Sequence, residues 1–272
     1  MLCYPNINPV IFKIGMFEVR WYGLCYIIGF IVAYIFIRKN YAYKNIKLKK
    51  DEYESLLFKL MLGVIIGGRL GYVLFYNLQF YLQNPLQIFT VWQGGMSLHG
   101  GAIAVIIFGY LFAKKHNMKF YQLADPVMPI VSIGLFLGRL GNFINAELYG
   151  RITDKPWGMK FPIYNHLGVL SDYTKPRHPS QLYEAFLEGI ILFFITYILF
   201  RKVKRSGIVF WSWIGLYGLF RFLVEFVREP DAQLGHLIGF MTMGQILSAI
   251  MIIVSVISII LLFRKKNEIL EK

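Results

Sequence analysis

The chain has 272 residues, of which 57% are hydrophobic, 17% aromatic and 16% charged, with a mean hydropathy of +0.53. A soluble domain is about one quarter charged, so a water-soluble fold is excluded, as are collagen, coiled-coil, disulfide-scaffold and disordered readings. The formal charge of +14 would suit nucleic acid, but a membrane protein gathers Lys and Arg on its cytoplasmic side, and counting tests that explanation.

Segments 21–37, 70–113 and 237–263 hold no Asp, Glu, Lys or Arg, and about 20 apolar residues cross a ~30 Å hydrocarbon layer. In chain order, helices are expected near 21–37, 56–77, 94–113, 125–143, 182–200, 207–227 and 237–263. Seventeen Lys and Arg fall in one set of alternate connections (38–50, 114–119, 201–205, 264–272) and eight in the other. The first set faces the cytoplasm, which puts the N-terminus outside and the C-terminus inside. The reading is an all-α polytopic membrane protein of about seven transmembrane helices. Residues 144–181, rich in Pro, Gly, Tyr and Asn, form a small extracytoplasmic head between helices 4 and 5, and residues 1–272 are read as a single domain.

The first apolar run lacks a preceding basic region and a small-residue cleavage site, so its helix is expected to remain. Cys3 and Cys25 show neither metal-ligand nor redox spacing, and no disulfide or catalytic cysteine is expected.

Four cations lie inside the expected helices. Lys59 is within a turn of a cytoplasmic end and can snorkel. At ~1.5 Å per residue, Arg69, Arg139 and Arg221 reach about the same level in the outer half, and His99 approaches that level from outside. Charges at such depth cost several kcal/mol unless they are paired or face a wet cavity. A layer of cations there suits an anion from the outer leaflet. Other roles stay open: Arg221 and Glu225 are i, i+4 and can pair, Arg69 in GGRLGYVLFYN can bond carbonyls where glycines thin a helix contact, and His99 in GGMSLHGG can be an ordinary satisfied helix residue. Trp21, Tyr22, Trp92 and Trp157 fit an interfacial belt.

The segment GRLGNFINAELYG (138–150) is harder to explain by structure alone. Arg139, Asn142 and Asn145 are three residues apart on one side, with Glu147 and Gly150 following at the outer mouth. A guanidinium fork matches phosphate bidentately, amides and a carboxylate can orient hydroxyls, and glycines let a headgroup approach the backbone.

That segment resembles the signature of the prolipoprotein diacylglyceryl transferase family. The likeness continues through RWYGL from Arg20, GGRLGYVLFYN from Gly67, GGMSLHGG from Gly94, RHPSQLYE from Arg177, FRFLVEFVREPDAQ from Phe220 and MGQILS from Met243. It implies a seven-helix enzyme of the bacterial inner membrane, acting in lipoprotein biosynthesis. Such an enzyme moves the diacylglyceryl group of phosphatidylglycerol to the lipobox cysteine of prolipoprotein signal peptides and releases glycerol phosphate. By similarity, His99, Tyr22, Arg139 and Arg221 are the catalytic positions. The resemblance also implies substrate-binding places for Asn142, Glu147, Gly150, Tyr217, Glu225, Arg228 and Arg69, and the spacing read above adds Asn145 to them.

The substrate thiol attacks an sp3 carbon and phosphate leaves, so the protein needs no nucleophile of its own. It needs help in forming the thiolate, the reactive species of a thiol with pKa ~8.5, for which His99 or an arginine field are the alternatives. It also needs fixed donors for the departing phosphate, for which Arg139 and Arg221 are suited. Neither H-E-x-x-H nor G-x-S-x-G occurs. No metal or other cofactor and no nucleic acid are expected. A transporter or lipid flippase and an assembly subunit with internally paired arginines are the competing classes.

Overall fold

The computed structural model describes residues 2–15, 17–90, 94–164, 170–229, 236–238 and 241–270. Two-residue strand β1 (Leu2–Cys3) leads into hairpin β2 (Val10–Ile14) and β3 (Phe17–Arg20), then helix α1 (Trp21–Tyr43), α2 (Lys50–Tyr76) and the short α3 (Leu78–Gln83). A 3-10 turn (Pro85–Phe89) precedes α4 (Leu98–Lys115), α5 (Phe120–Ala124) and α6 (Met128–Ile144). The head carries β4 (Met159–Lys160), β5 (Pro162–Tyr164) and β6 (Leu170–Tyr173). One long helix follows: α7 (Ser180–Glu184), a π-helical stretch (Ala185–Ile191) and α8 (Leu192–Lys202). Then come α9 (Ile208–Val224), hairpin β7 (His236–Ile238) and β8 (Met241–Thr242), and α10 (Met243–Leu270).

The chain is mostly helical and multi-pass. Trp21–Tyr43, Lys50–Tyr76, Ser180–Lys202 and Met243–Arg264 are long and apolar enough to cross a bilayer, and Met128–Ile144 and Ile208–Val224 are shorter apolar helices. A 17-residue helix rises about 26 Å, a little less than the hydrocarbon layer.

Two compact units divide the chain. The first comprises 38–126. Its spine is α2 against α4, and glycines set the distance: a Cβ on Gly67 would meet Ala104 and the Gly100 carbonyl, and one on Gly71 would sit 2.7 Å from Gly100 Cα. Gly63, Gly67 and Gly71 repeat every fourth residue, the small-residue spacing that lets membrane helices touch through their backbones. The start of α4 is fixed in the same way, with Ser97 N donating to the Gly68 carbonyl at 2.8 Å.

The second unit comprises 1–37 and 127–272. Here α6 packs on the π-helical stretch, where a Cβ on Gly189 would lie 2.6 Å from Phe136 Cβ. α9 packs on α10, and Ser255 Oγ donates to the Trp211 carbonyl at 2.5 Å. The head rests on a small aromatic core of Tyr4, Met159 and Phe161, with Phe143, Ala146 and Tyr149 around it. β1 pairs parallel with β4, and Tyr4 Oη donates to the Ile144 carbonyl at 2.7 Å. Burial, with Tyr164 nearby, pushes the Tyr4 phenol up to about 12, so it remains a donor at any ordinary pH. The head therefore includes the N-terminal strand as well as the expected 144–181.

Candidate active site

α6, the long helix from Ser180 and α9 bring a charged cluster together within the second unit. Each is an apolar helix with isolated charges on its inner side, and burying the apolar faces forces those charges onto one another. Arg139 of α6 places Nη2 2.5 Å from Glu184 Oε2 and 3.6 Å from Glu188 Oε2. Arg221 of α9 places Nη1 3.6 Å from Glu184 Oε2 and Nη2 2.8 Å from Glu225 Oε2. Arg228, just past α9, brings Nη1 to 3.1 Å from Glu184 Oε1. Three guanidinia thus converge on one carboxylate whose side chain is 1% exposed. Glu225 is held separately by Thr242 Oγ1, which donates to Oε1 at 2.9 Å. A Cβ on Gly244 would lie 2.8 Å from that carboxyl group, so only glycine leaves it room.

The expected layer of cations is therefore corrected to alternating charge, with Glu184 and Glu188 interleaved among the arginines. Guanidinia buried without partners would be too costly. Pairing is nonetheless incomplete: Arg139 Nε and Arg221 Nη1 are buried and have no hydrogen-bond acceptor among the described residues.

Beside this cluster the rest of the 138–150 segment forms a second group. Asn142 Nδ2 and Asn145 Nδ2 donate to Glu147 Oε1 at 2.8 and 3.3 Å. Gln181 Nε2 donates to the Glu147 carbonyl at 2.6 Å. Asn145 Oδ1 and Gln181 Oε1 are buried acceptors with no donor among the described residues. The turn that presents Glu147 is strained, since Ala146 and Leu148 stand at φ 54° and 56°, a conformation costing L-residues about 1–3 kcal/mol each and concentrated at functional sites. Arg139, expected to share a face with the two asparagines, turns to Glu184 instead.

Gly150 stitches head to helix. Its N donates to the His178 carbonyl at 2.8 Å, its carbonyl accepts from Arg177 Nη1 at 3.0 Å, and a Cβ there would collide with the Val227 carbonyl. Arg151 Nε donates to the Arg228 carbonyl at 2.8 Å, so the segment after Gly150 also fixes the backbone at Arg228. Tyr22 lies against α6, with its ring 2.6 Å from where a Gly141 Cβ would be, and its hydroxyl shares a hydrogen bond with Tyr26 at 3.1 Å. Tyr217 is buried and stacked on Trp213, ring centroids 5.2 Å apart and 3° from parallel. Trp213 Nε1 is itself anchored on Ser132 Oγ at 2.8 Å.

Arg69 and His99 belong to the other unit. The Arg69 fork is committed to the backbone: Nε donates to the Ile88 carbonyl at 2.8 Å, Nη1 to Gly94 at 2.6 Å and Nη2 to Gln87 at 2.5 Å. Its guanidinium also lies over Tyr81, 5.1 Å from the ring centroid. His99 is in the first turn of α4, and its side chain lies outside the described residues, as does Trp92. Sequence reasoning missed Glu184, Glu188 and Gln181. Two acidic residues inside an apolar run are as costly as the arginines, and the same depth argument applied to them would have singled them out.

A family model described as Prolipoprotein diacylglyceryl transferase matches residues 9–261. A Geobacter sulfurreducens protein named phosphatidylglycerol–prolipoprotein diacylglyceryl transferase is 52% identical over 263 residues, covering 97% of this chain and 98% of its own. A Vibrio vulnificus protein of the same name is 50% identical over 252 residues, 93% of this chain and 90% of its own. One from Vibrio cholerae is 47% identical over 264 residues, 97% and 94% of the two chains.

Proposed function

The chain belongs to the prolipoprotein diacylglyceryl transferase family, and on that premise we propose that its arginine–glutamate cluster is the seat of the donor phosphate. The reaction transfers the diacylglyceryl group of phosphatidylglycerol to the cysteine thiol of a prolipoprotein and releases glycerol phosphate, the first step of lipoprotein maturation. The observation that carries the site assignment is the set of orphaned polar atoms. Arg139 Nε and Arg221 Nη1 are donors awaiting an anion, while Asn145 Oδ1 and Gln181 Oε1 are acceptors awaiting hydroxyls. Buried polar groups without partners are rare in folded proteins. A glycerol phosphate headgroup offers both complements: phosphate oxygens accept from the guanidinia, and glycerol hydroxyls donate to the amides.

In this reading the acceptor thiol, as thiolate, attacks the glyceryl carbon. The C–O bond breaks, and its electron pair leaves on phosphate oxygen. Arg139 and Arg221 stabilise that developing charge as fixed donors already in place, and Arg228 holds Glu184 so that the pair stays aimed. His99 is the proposed base that takes the thiol proton. Tyr22, Tyr217, Asn142, Glu147 and Glu225 shape and orient the headgroup site, and Gly150 keeps Arg228 in reach. Arg69 spends its donors on the carbonyls of residues 87–95, so we assign it to positioning the loop that leads into α4 and His99 instead of to contacting donor. The same reading takes the seven expected helices as spans of the bacterial inner membrane. The N-terminus and head then lie outside and the C-terminus inside, as one transferase domain.

The test mixes purified protein with phosphatidylglycerol vesicles and a cysteine-containing signal peptide, followed by mass spectrometry for adduct and glycerol phosphate. Wild type forms both, and Arg139→Ala and Arg221→Ala form neither. Adduct formation at the wild-type rate by either variant would overturn the site assignment.

A further inference from the structure

The donor scheme leaves Glu188 without a task. Its side chain is 0% exposed, and it sits in the π-helical stretch that interrupts the helix from Ser180, a distortion frequent at functional sites. Neither carboxyl oxygen accepts a hydrogen bond among the described residues. The groups facing it are Arg139 from α6, Tyr217 and Arg221 from α9, Arg228 beyond α9, and Glu184 one turn earlier on its own helix. Glu225 enters only through Arg221. The Arg139 nitrogen nearest to Glu188, at 3.6 Å, is the same one that lies 2.5 Å from Glu184. Glu184 is thus served by three guanidinia, whereas Glu188 has a distant share of one.

Charge balance gives this inequality a consequence. Among the ion-paired groups, with Glu147 held apart by its two asparagine donors, an ionised Glu188 sets three guanidinia against three carboxylates, and the paired cluster has no net charge with which to hold an anion. With Glu188 neutral, one positive charge is left over, equal and opposite to that of a phosphodiester. A neutral carboxyl also tolerates burial without partners far better than a carboxylate. We propose that Glu188 is the proton-carrying member of the donor site: it is uncharged when phosphatidylglycerol is bound, and it takes up a proton from solvent as donor enters an enzyme in which it is ionised. The inference rests on the arginine cluster being the phosphate site. The phosphodiester keeps its single charge throughout, so the proton must come onto the protein.

Proton linkage fixes the sign and size of the effect. Above the pH at which Glu188 ionises in the empty enzyme, each further pH unit weakens donor binding by up to tenfold. Below that pH, binding is independent of pH. The experiment is calorimetric titration of the full-length enzyme in detergent with short-chain phosphatidylglycerol, without acceptor, so that no turnover occurs and the thiol plays no part. It is run at several pH values in two buffers of different ionisation enthalpy. Wild type is expected to absorb up to one proton per donor on the alkaline side, with affinity falling there. Glu188→Gln, which keeps shape and stays neutral, is expected to bind donor with equal heats in both buffers and a flat pH profile. Glu188→Asp keeps the linkage. Equal heats for wild type at every pH overturn the proposal, and so does proton uptake that persists in Glu188→Gln. The wild-type comparison stands even if a variant fails to fold. Absence of any donor binding by wild type refutes instead the phosphate-site reading beneath it.

Discussion

Arg139→Lys separates charge from fork geometry. Both side chains are cations, but the lysine ammonium is a single point donor, whereas arginine presents Nε and two Nη groups in a fixed plane. Nη2 is spent on Glu184 at 2.5 Å while Nε has no acceptor among the described residues. Arginine can therefore hold the carboxylate with one edge and a phosphate oxygen with another, and lysine must choose. Its ammonium stays with Glu184, a deeply buried carboxylate that costs about 3–5 kcal/mol to leave unpaired. What disappears is one preorganised donor to the departing phosphate, and removing such a donor lowers kcat about 10²- to 10³-fold. Diacylglyceryl transfer to a cysteine peptide, followed by mass spectrometry at saturating phosphatidylglycerol, is expected to show that fall. The unfolding midpoint should change little, because the ion pair survives. A kcat within threefold of wild type would refute the argument, for it would show that any cation at this position suffices.

Four further outcomes are expected. His99→Gln slows single-turnover transfer more than it weakens donor binding, and unchanged single-turnover rates remove His99 as the base. Gly150→Ala forces a Cβ into the Val227 carbonyl and lowers stability by at least the ~1–3 kcal/mol of an overpacked site; limited proteolysis should show the head cut more readily, and wild-type resistance would count against the stitch. Ser132→Ala leaves the buried Trp213 Nε1 without its acceptor, a loss of about 1–3 kcal/mol visible in thermal unfolding, with kcat reduced if Tyr217 loses its stacking surface. Burial and the neighbouring Lys155 hold the His178 imidazole below its ordinary range, so the folded head favours the neutral ring. Its stability is full above about pH 6.5, the unfolded value, and falls as pH drops through the lowered one; His178→Gln should flatten that slope in head proteolysis.

Helix positions were legible because charge-free runs of this length have few alternatives, and α1, α4, α6 and α9 begin or end within a few residues of expectation. The ends differ where local bonding decides. Asn45 and Asn117, at φ 56° and 53°, close α1 and α4 several residues into what reads as basic loop, since asparagine tolerates the left-handed conformation. The hairpin of β2 and β3 has its signal in the alternation within VIFKIGMFEV, with Gly15 at the turn, a signal that the helical composition of the whole chain overrides. GRLGY and GRLGN show where local sequence stops informing. Arg69 and Arg139 have the same neighbours, yet one meets carbonyls and the other carboxylates. Which partner a buried arginine finds is set by the segment packed against it, a loop for Arg69 and a helix for Arg139, and no window around the arginine contains that information.

A closed structural network is the alternative reading of the pairing of Arg139, Arg221 and Arg228 with Glu184, and in it the cluster would have no room for an anion. The energetics argue otherwise. An ion pair at about 4 Å and an effective dielectric of 20 is worth ~4 kcal/mol, so three bare guanidinia would bind any phosphate with an affinity that also traps the product. Glycerol phosphate leaves bearing at least the charge of the donor and must be released every turnover. A resident carboxylate shared by all three arginines lowers the field at the phosphate without moving the donors, and it keeps them in place when the site is empty. On the proposed reading, strength of binding is then set by the few donors without a hydrogen-bond acceptor among the described residues, Arg139 Nε and Arg221 Nη1. On this account Glu184→Gln, by unmasking the arginines, should slow product release before it affects donor capture, the reverse of what a purely structural counter-ion would do. Pre-steady-state kinetics that show no burst of adduct in that variant would decide against it.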